Sequence, residues 1–141
     1  MATVHDVAAY ILETTRSITA MKLQKLVYYC QAWSLVWDEK PLFSERLEAW
    51  ANGPVCPALY DRHRGKFEVS AWNGDPSALT PEQRETVDIV VKFYGSYAPQ
   101  ALSDLTHAEA PWRDARLGLM QGDRGNREIT CDAMAEYYGS L

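Results

Sequence analysis

The stretch from Thr19 to Trp37 limits what this chain can fold into more than any other. Leu23, Leu26, Val27, Cys30, Trp33 and Trp37 recur at three- and four-residue steps, which puts them on one helical face. Tyr28, Ala32, Leu35 and Val36 lie on the opposite side, so the helix is apolar nearly all round and belongs inside a core. Thr19 is its expected N-cap, since a hydroxyl there accepts from unpaired first-turn amides. At the α-helical rise, a helix over about residues 19–38 crosses roughly 27 Å, the width of a small domain. Lys22, Gln24, Lys25 and Gln31 interrupt it too often for a membrane span, and no membrane association is expected.

The remaining pattern is also mainly helical. Val4, Val7, Ala8, Ile11 and Leu12 form a stripe on a first helix, with Thr3 as cap and Asp6 in the first turn. Pro41 ends the central helix region. Alternation over residues 46–50 and again over 67–71, where Phe67, Val69 and Ala71 alternate with Glu68 and Ser70, admits a small two-stranded ribbon between these segments. Between them, Asn52-Gly53-Pro54 is turn chemistry, with Gly53 free to take positive φ. Pro57 to Arg64 reads as a short helix. Thr80-Pro81-Glu82-Gln83 is a capping box that opens a helix burying Val87, Val90, Val91 and Tyr94. A further helix begins at Pro99, with Ala101, Leu102 and Leu105 inward, and ends near His107. Pro111 then restarts the chain, Gly122 to Arg127 is a loop, and Thr130 caps a last helix with Ala133, Met134 and Tyr137. The expectation is one domain over residues 1–141, mainly α, around the central buried helix.

Charge and chemistry narrow the function. The net charge of −5 argues against sequence-independent nucleic-acid binding, which draws on clustered Lys and Arg. Cys30, Cys56 and Cys131 are odd in number and far apart, which fits reduced thiols in a cytoplasmic protein. His107 and Glu109 lie close in sequence and could serve a metal or a general base, so a metal-dependent or nucleophilic enzyme is one alternative. No second ligand pair accompanies them and His107 suits a helix C-terminus, so the structural reading is preferred, with no catalytic residue, metal or cofactor expected. Cys30 sits on an apolar face, where cysteine behaves as a small hydrophobe. Arg62-His63-Arg64-Gly65-Lys66 is the strongest basic cluster, and Arg113, Arg116, Arg124 and Arg127 make a scattered second one. Trp50, Tyr60, Arg62, His63, Arg64 and Lys66 are the candidate partner-binding residues, because Trp, Tyr and Arg most often dominate interfaces. For Trp50, a plain core position is the competing reading.

The ordered set of short motifs resembles a known family. Lys22-Leu23-Gln24-Lys25-Leu26-Val27-Tyr28-Tyr29-Cys30-Gln31-Ala32-Trp33 is followed by Lys40-Pro41-Leu42-Phe43, Glu48-Ala49-Trp50 and Gly53-Pro54-Val55. Tyr94-Gly95, Leu102-Ser103, Leu105-Thr106-His107, Glu109 and Pro111-Trp112 complete the series. Together they resemble the Panacea domain of SocA-like antitoxins and phage-associated proteins. The resemblance implies an antitoxin of a host or prophage toxin–antitoxin pair. Such a protein would bind a cognate protein toxin directly, or act as an adaptor delivering it to the ClpXP protease. These motif positions read as structural. A DNA-binding autorepressor is the other alternative.

Overall fold

The central helix is α2, Ala20–Trp37, in the computed structural model, which describes all residues from Met1 to Leu141. Thr19 caps it by accepting from the Lys22 amide at 3.1 Å. Leu23, Leu26, Val27, Tyr28, Tyr29, Cys30 and Ala32 are all fully buried on it. Around it pack α1 (Val4–Thr15), α4 (Pro81–Tyr94), α5 (Pro99–His107) and α7 (Cys131–Gly139). α1 and α4 each begin with the expected capping box, Thr3 with Asp6 and Thr80 with Gln83. One core cluster runs from Ala2 to Tyr138 and draws on nearly every element. The architecture is mainly α, as the periodicity predicts.

Both segments expected to be extended are extended, but they do not pair with each other. β2 (Leu47–Trp50) turns back through Ala51-Asn52 onto β3 (Gly53–Val55), with Trp50 opposite Gly53. Its other edge takes β5 (Glu128–Ile129), opposite Leu47 and Glu48. β4 (Glu68–Val69) instead pairs with β1 (Ile18–Thr19), just before α2. A two-residue loop brings β3 to β2 at the least loop-closure entropy, and β5 fills the remaining edge. Three residues that include a proline carry no strand signal, which is why the alternation pointed to residues 67–71 as the partner. One inward assignment also changes, since Ala101 is exposed; along the second segment Phe67 is 79% exposed and Ala71 exposed, and of the three alternating apolar residues only Val69 is buried. At the C-terminal helix, Tyr138 is the buried tyrosine and Tyr137 is half-buried.

Gln24, Lys25, Gln31 and Ser34 are buried on the same helix, and all four tie down connecting backbone, the two glutamines with two hydrogen bonds or more each. Gln31 accepts from the Leu42 amide at 2.8 Å and donates to the Phe43 carbonyl at 2.9 Å, holding the chain after α2 against the core. Gln24 does the same two turns earlier on the same face. It accepts from the Cys56 amide at 2.8 Å and donates toward the Cys56 carbonyl at 3.2 Å, fixing the start of α3 (Pro57–His63). α6 (Ala110–Ala115) reaches the hairpin differently: the Trp112 indole donates to the Trp50 carbonyl at 2.8 Å. Just after α6, the Arg116 guanidinium donates to the Ala49 carbonyl at 3.1 Å and to the Asp123 carbonyl at 2.7 Å. Arg116 is 5% exposed, so this member of the scattered second basic region fastens a loop instead of meeting solvent.

Gly53 has φ +124°, and a Cβ there would lie 2.5 Å from Lys25 Cε. Gly53→Ala is therefore expected to destabilise the protein by about 1–3 kcal/mol from backbone strain alone, with the displaced Lys25 adding to it. The urea midpoint reads this directly, and an unchanged midpoint would refute it.

Candidate functional site

A groove of about 580 Å³ opens where the N-terminus of α2, the β2–β3 hairpin, α3 and the start of α5 converge. Trp50 and Tyr60 stand on one wall, ring centroids 4.8 Å apart and edge to face. The Trp50 indole donates to Glu48 at 2.8 Å, and Glu48 in turn pairs with Arg46 at 3.0 Å. Trp50 is half-buried, so it is neither plain core nor free surface. His63, Arg64 and Lys66 line the groove along the end of α3 and the turn that follows, and Phe67 projects at its rim.

His63 sits inward at 7% exposure. Because the Cys56 amide must donate to Gln24 Oε1, the Gln24 amide nitrogen faces His63 Nε2, 2.9 Å away, and that nitrogen accepts. His63 is thus a neutral imidazole with its proton on Nδ1. Burial, and then the nearby Lys25 charge, hold its pKa below the ordinary value, in keeping with that tautomer.

Lys25 lines the floor. It is 1% exposed, forms no salt bridge, and its Nζ donates to the Pro54 carbonyl at 3.1 Å. Its stem passes over Gly53, where only a missing Cβ leaves room. Burial pulls its pKa down to about 7. The sequence marked Lys25 only as a motif position, and its place at the groove floor becomes visible only once the hairpin has closed.

The six candidate partner-binding residues separate into five and one. Trp50, Tyr60, His63, Arg64 and Lys66 line the groove together. Arg62 points elsewhere, its guanidinium donating to the Asn73 carbonyl at 2.6 Å and lying 5.9 Å from the Trp72 ring centre. Successive residues at a helix end point in different directions, so a run of basic residues need not be one patch.

His107 and Glu109 do not form a unit. Glu109 is 8% exposed and accepts from the Tyr29 hydroxyl at 2.6 Å and the Tyr138 hydroxyl at 2.8 Å. Tyr138 also shares a hydrogen bond with Tyr28 at 3.0 Å. Burial raises the Glu109 pKa, against the two tyrosine hydrogen bonds that lower it. His107 stacks on Trp112 with centroids 3.9 Å apart, and the Arg116 guanidinium lies over the Trp112 ring, 5.1 Å from its centre. Its Nε2 is buried with no hydrogen-bond partner. Burial, with Lys25 adding to it, lowers the His107 pKa. No three His, Cys, Asp or Glu side chains converge as a metal set. Cys30 and Cys56 are fully buried, Cys131 is exposed, and burial pushes the Cys56 thiol up to about 11, away from nucleophilic use. No helix is long and apolar enough to cross a membrane.

Comparison with protein families matches residues 23–113 to the antitoxin SocA-like Panacea domain, a span holding α2 from Leu23 onward, the hairpin, α3 and the Glu109–Trp112 corner. The chain belongs to the SocA-like Panacea family. Membership supports an antitoxin-type role with a toxin as partner, and suggests a non-enzymatic one. No curated protein and no solved structure gives a significant match. Within this Panacea domain, several of the matched residues make the contacts described above. Gln24 clamps backbone, Lys25 and Gly53 interlock, Glu109 accepts two tyrosines, and Trp112 and the stacked His107 hold the hairpin.

Two outcomes are expected. Folded protein releases the Lys25 proton near pH 7, whereas the unfolded chain keeps it to about 10.5. Stability contributed this way should rise with pH between those values, by at most about 1.4 kcal/mol per unit. Denaturation of wild type and Lys25→Met across neutral to alkaline pH should show this slope only in wild type. Glu109→Gln retains an acceptor and should change stability by less than about 1 kcal/mol, whereas Glu109→Leu strands two hydroxyls and should cost about 2 kcal/mol or more. Urea titration separates the two.

Proposed function

We propose that residues 1–141 act as one Panacea unit, an antitoxin that neutralises a cognate protein toxin by docking it in the groove of Trp50, Tyr60, His63, Arg64 and Lys66. The observation that carries this reading is the groove's composition. Aromatic side chains combine area with directed bonds at its wall, cations line it, and no carboxylate does, in a chain of net charge −5. Neutral or acidic surroundings make a local basic groove a steering feature for an acidic partner segment. The protein works in the cytoplasm, encoded by a host or a prophage, and needs no cofactor. Neutralisation proceeds by holding the toxin, or by handing it to ClpXP as an adaptor does.

Arg64 and Lys66 are exposed and Arg64 makes no side-chain hydrogen bond, so Arg64→Glu with Lys66→Glu should leave stability within about 0.5 kcal/mol. Co-expressed with the product of the adjacent gene, wild type should restore growth and the double variant should not. Full protection by the variant would remove this face as the interface. Retained binding without protection would point to protease recruitment, and the toxin's half-life should then shorten only when ClpX is present. As a control, Phe93→Lys alters a separate apolar notch formed by Trp33, Trp37, Ile89, Val90, Phe93 and Tyr94. Loss of protection there instead would move the interface to that face.

A further inference from the structure

The groove floor holds a lysine side chain whose hydrogen bonding is incomplete. Lys25 Nζ carries three donors, and the one hydrogen bond it makes goes to the Pro54 carbonyl. It is 1% exposed, so bulk water does not complete the set. A buried cation without a counter-charge is strongly disfavoured, and a carboxylate delivered to it in a dry site gains a charge-assisted hydrogen bond. Every other ionisable side chain that faces the groove is basic or a tyrosine: His63, Arg64, Lys66 and Tyr60. Glu48, the nearest acid on the hairpin, is already engaged by Arg46 and by Trp50. The walls are largely apolar, formed by Trp50, Met21 and Val55, with Phe67 at the rim.

Resting on the reading of this groove as the toxin site, we propose that its occupant is an apolar segment of the partner protein carrying one Asp or Glu side chain, whose carboxylate passes alongside the edge-to-face Tyr60–His63 pair and completes the hydrogen bonding of Lys25. Lys25 is then the residue that selects among segments, while Trp50 and Phe67 supply contact area without discriminating charge. The groove is an open trough built from four separate elements, which suits a side chain on a strand of peptide that continues in both directions. Gly53 is part of the device, because any side chain there would displace the lysine stem from the floor.

The test uses the full chain and an array of short acetylated, amidated peptides, apolar except for a central Glu, Gln or Lys. Glu-centred peptides should bind at least about tenfold more tightly than their Gln counterparts, and Lys-centred ones least. Lys25→Met should erase the Glu-over-Gln preference while retaining the helical circular dichroism of wild type. If that variant does not fold, the carbon-13 resonance of Lys25 Cε in wild type provides the second reading. It should shift on adding Glu-centred peptide and stay in place with the Gln form. Equal binding of Glu and Gln peptides, no binding by any, or a preference that survives Lys25→Met would each overturn the proposal. Tighter binding of Gln peptides with a free C-terminus would overturn it in favour of a chain end. Saturation by propionate alone would overturn it in favour of a small anion. If Arg64→Glu with Lys66→Glu still protects against the toxin while the Glu preference is present, the toxin reading of the groove fails and the carboxylate selection stands. If protection is lost and no preference exists, the selection fails and the toxin reading stands.

Discussion

The structure depends on polar side chains of one helix reaching across the core to hold backbone that would otherwise be unpaired. A buried amide or carbonyl without a partner costs about 1–3 kcal/mol, so irregular segments cannot lie against a core unless something satisfies them. Gln31 does this for the chain leaving α2, Gln24 for the start of α3, and Lys25 for the hairpin at Pro54. All three project from the same eighteen-residue helix. The connecting segments therefore take their positions from α2 as directly as the packed helices do.

The two least compensated charges of the core sit in different surroundings. Glu109 rests among tyrosines whose hydroxyls both donate to one of its oxygens, and its site is closed by aromatic rings stacked edge to face. Lys25 has one backbone carbonyl and lies beneath an opening. The first arrangement has both its donors inside the core and specifies packing; the second has one partner and lines the groove. Buried charges are costly in either setting, and the difference lies in whether the remaining partners are already part of the fold. That contrast separates a motif residue enclosed in the core from one that lines a groove, although both belong to the same family pattern.

Much of the helical architecture was legible because it rests on local rules. Thr3, Thr19, Thr80 and Thr130 each cap the helix expected of them, and the stripes on α1 and α4 face the core. The sheet was less legible, since a three-residue strand containing Pro54 has no alternation to read and the pairing of Glu68 with Thr19 is set by tertiary packing. The groove was half legible. Trp50, Tyr60 and the basic run marked the region, but the divergence of Arg62 from Arg64 depends on helix phase, and Lys25 enters from a helix far away in sequence. Gln24, Lys25 and Gln31 looked like a polar edge on an apolar helix, because nothing local says that a glutamine will be buried against someone else's backbone.

The tyrosine cluster also orders events during synthesis. Tyr28 and Tyr29 belong to α2, Glu109 precedes α6, and Tyr138 lies on α7, so the cluster spans more than a hundred residues of chain. Until α7 has left the ribosome, Glu109 and Tyr28 lack their shared partner, and β2 keeps a bare edge until Glu128–Ile129 arrives. Contacts of such sequence separation form late, and the waiting intermediate exposes apolar surface and an unpaired strand. The last residues to be made thus close both the tyrosine cluster and the β2 edge.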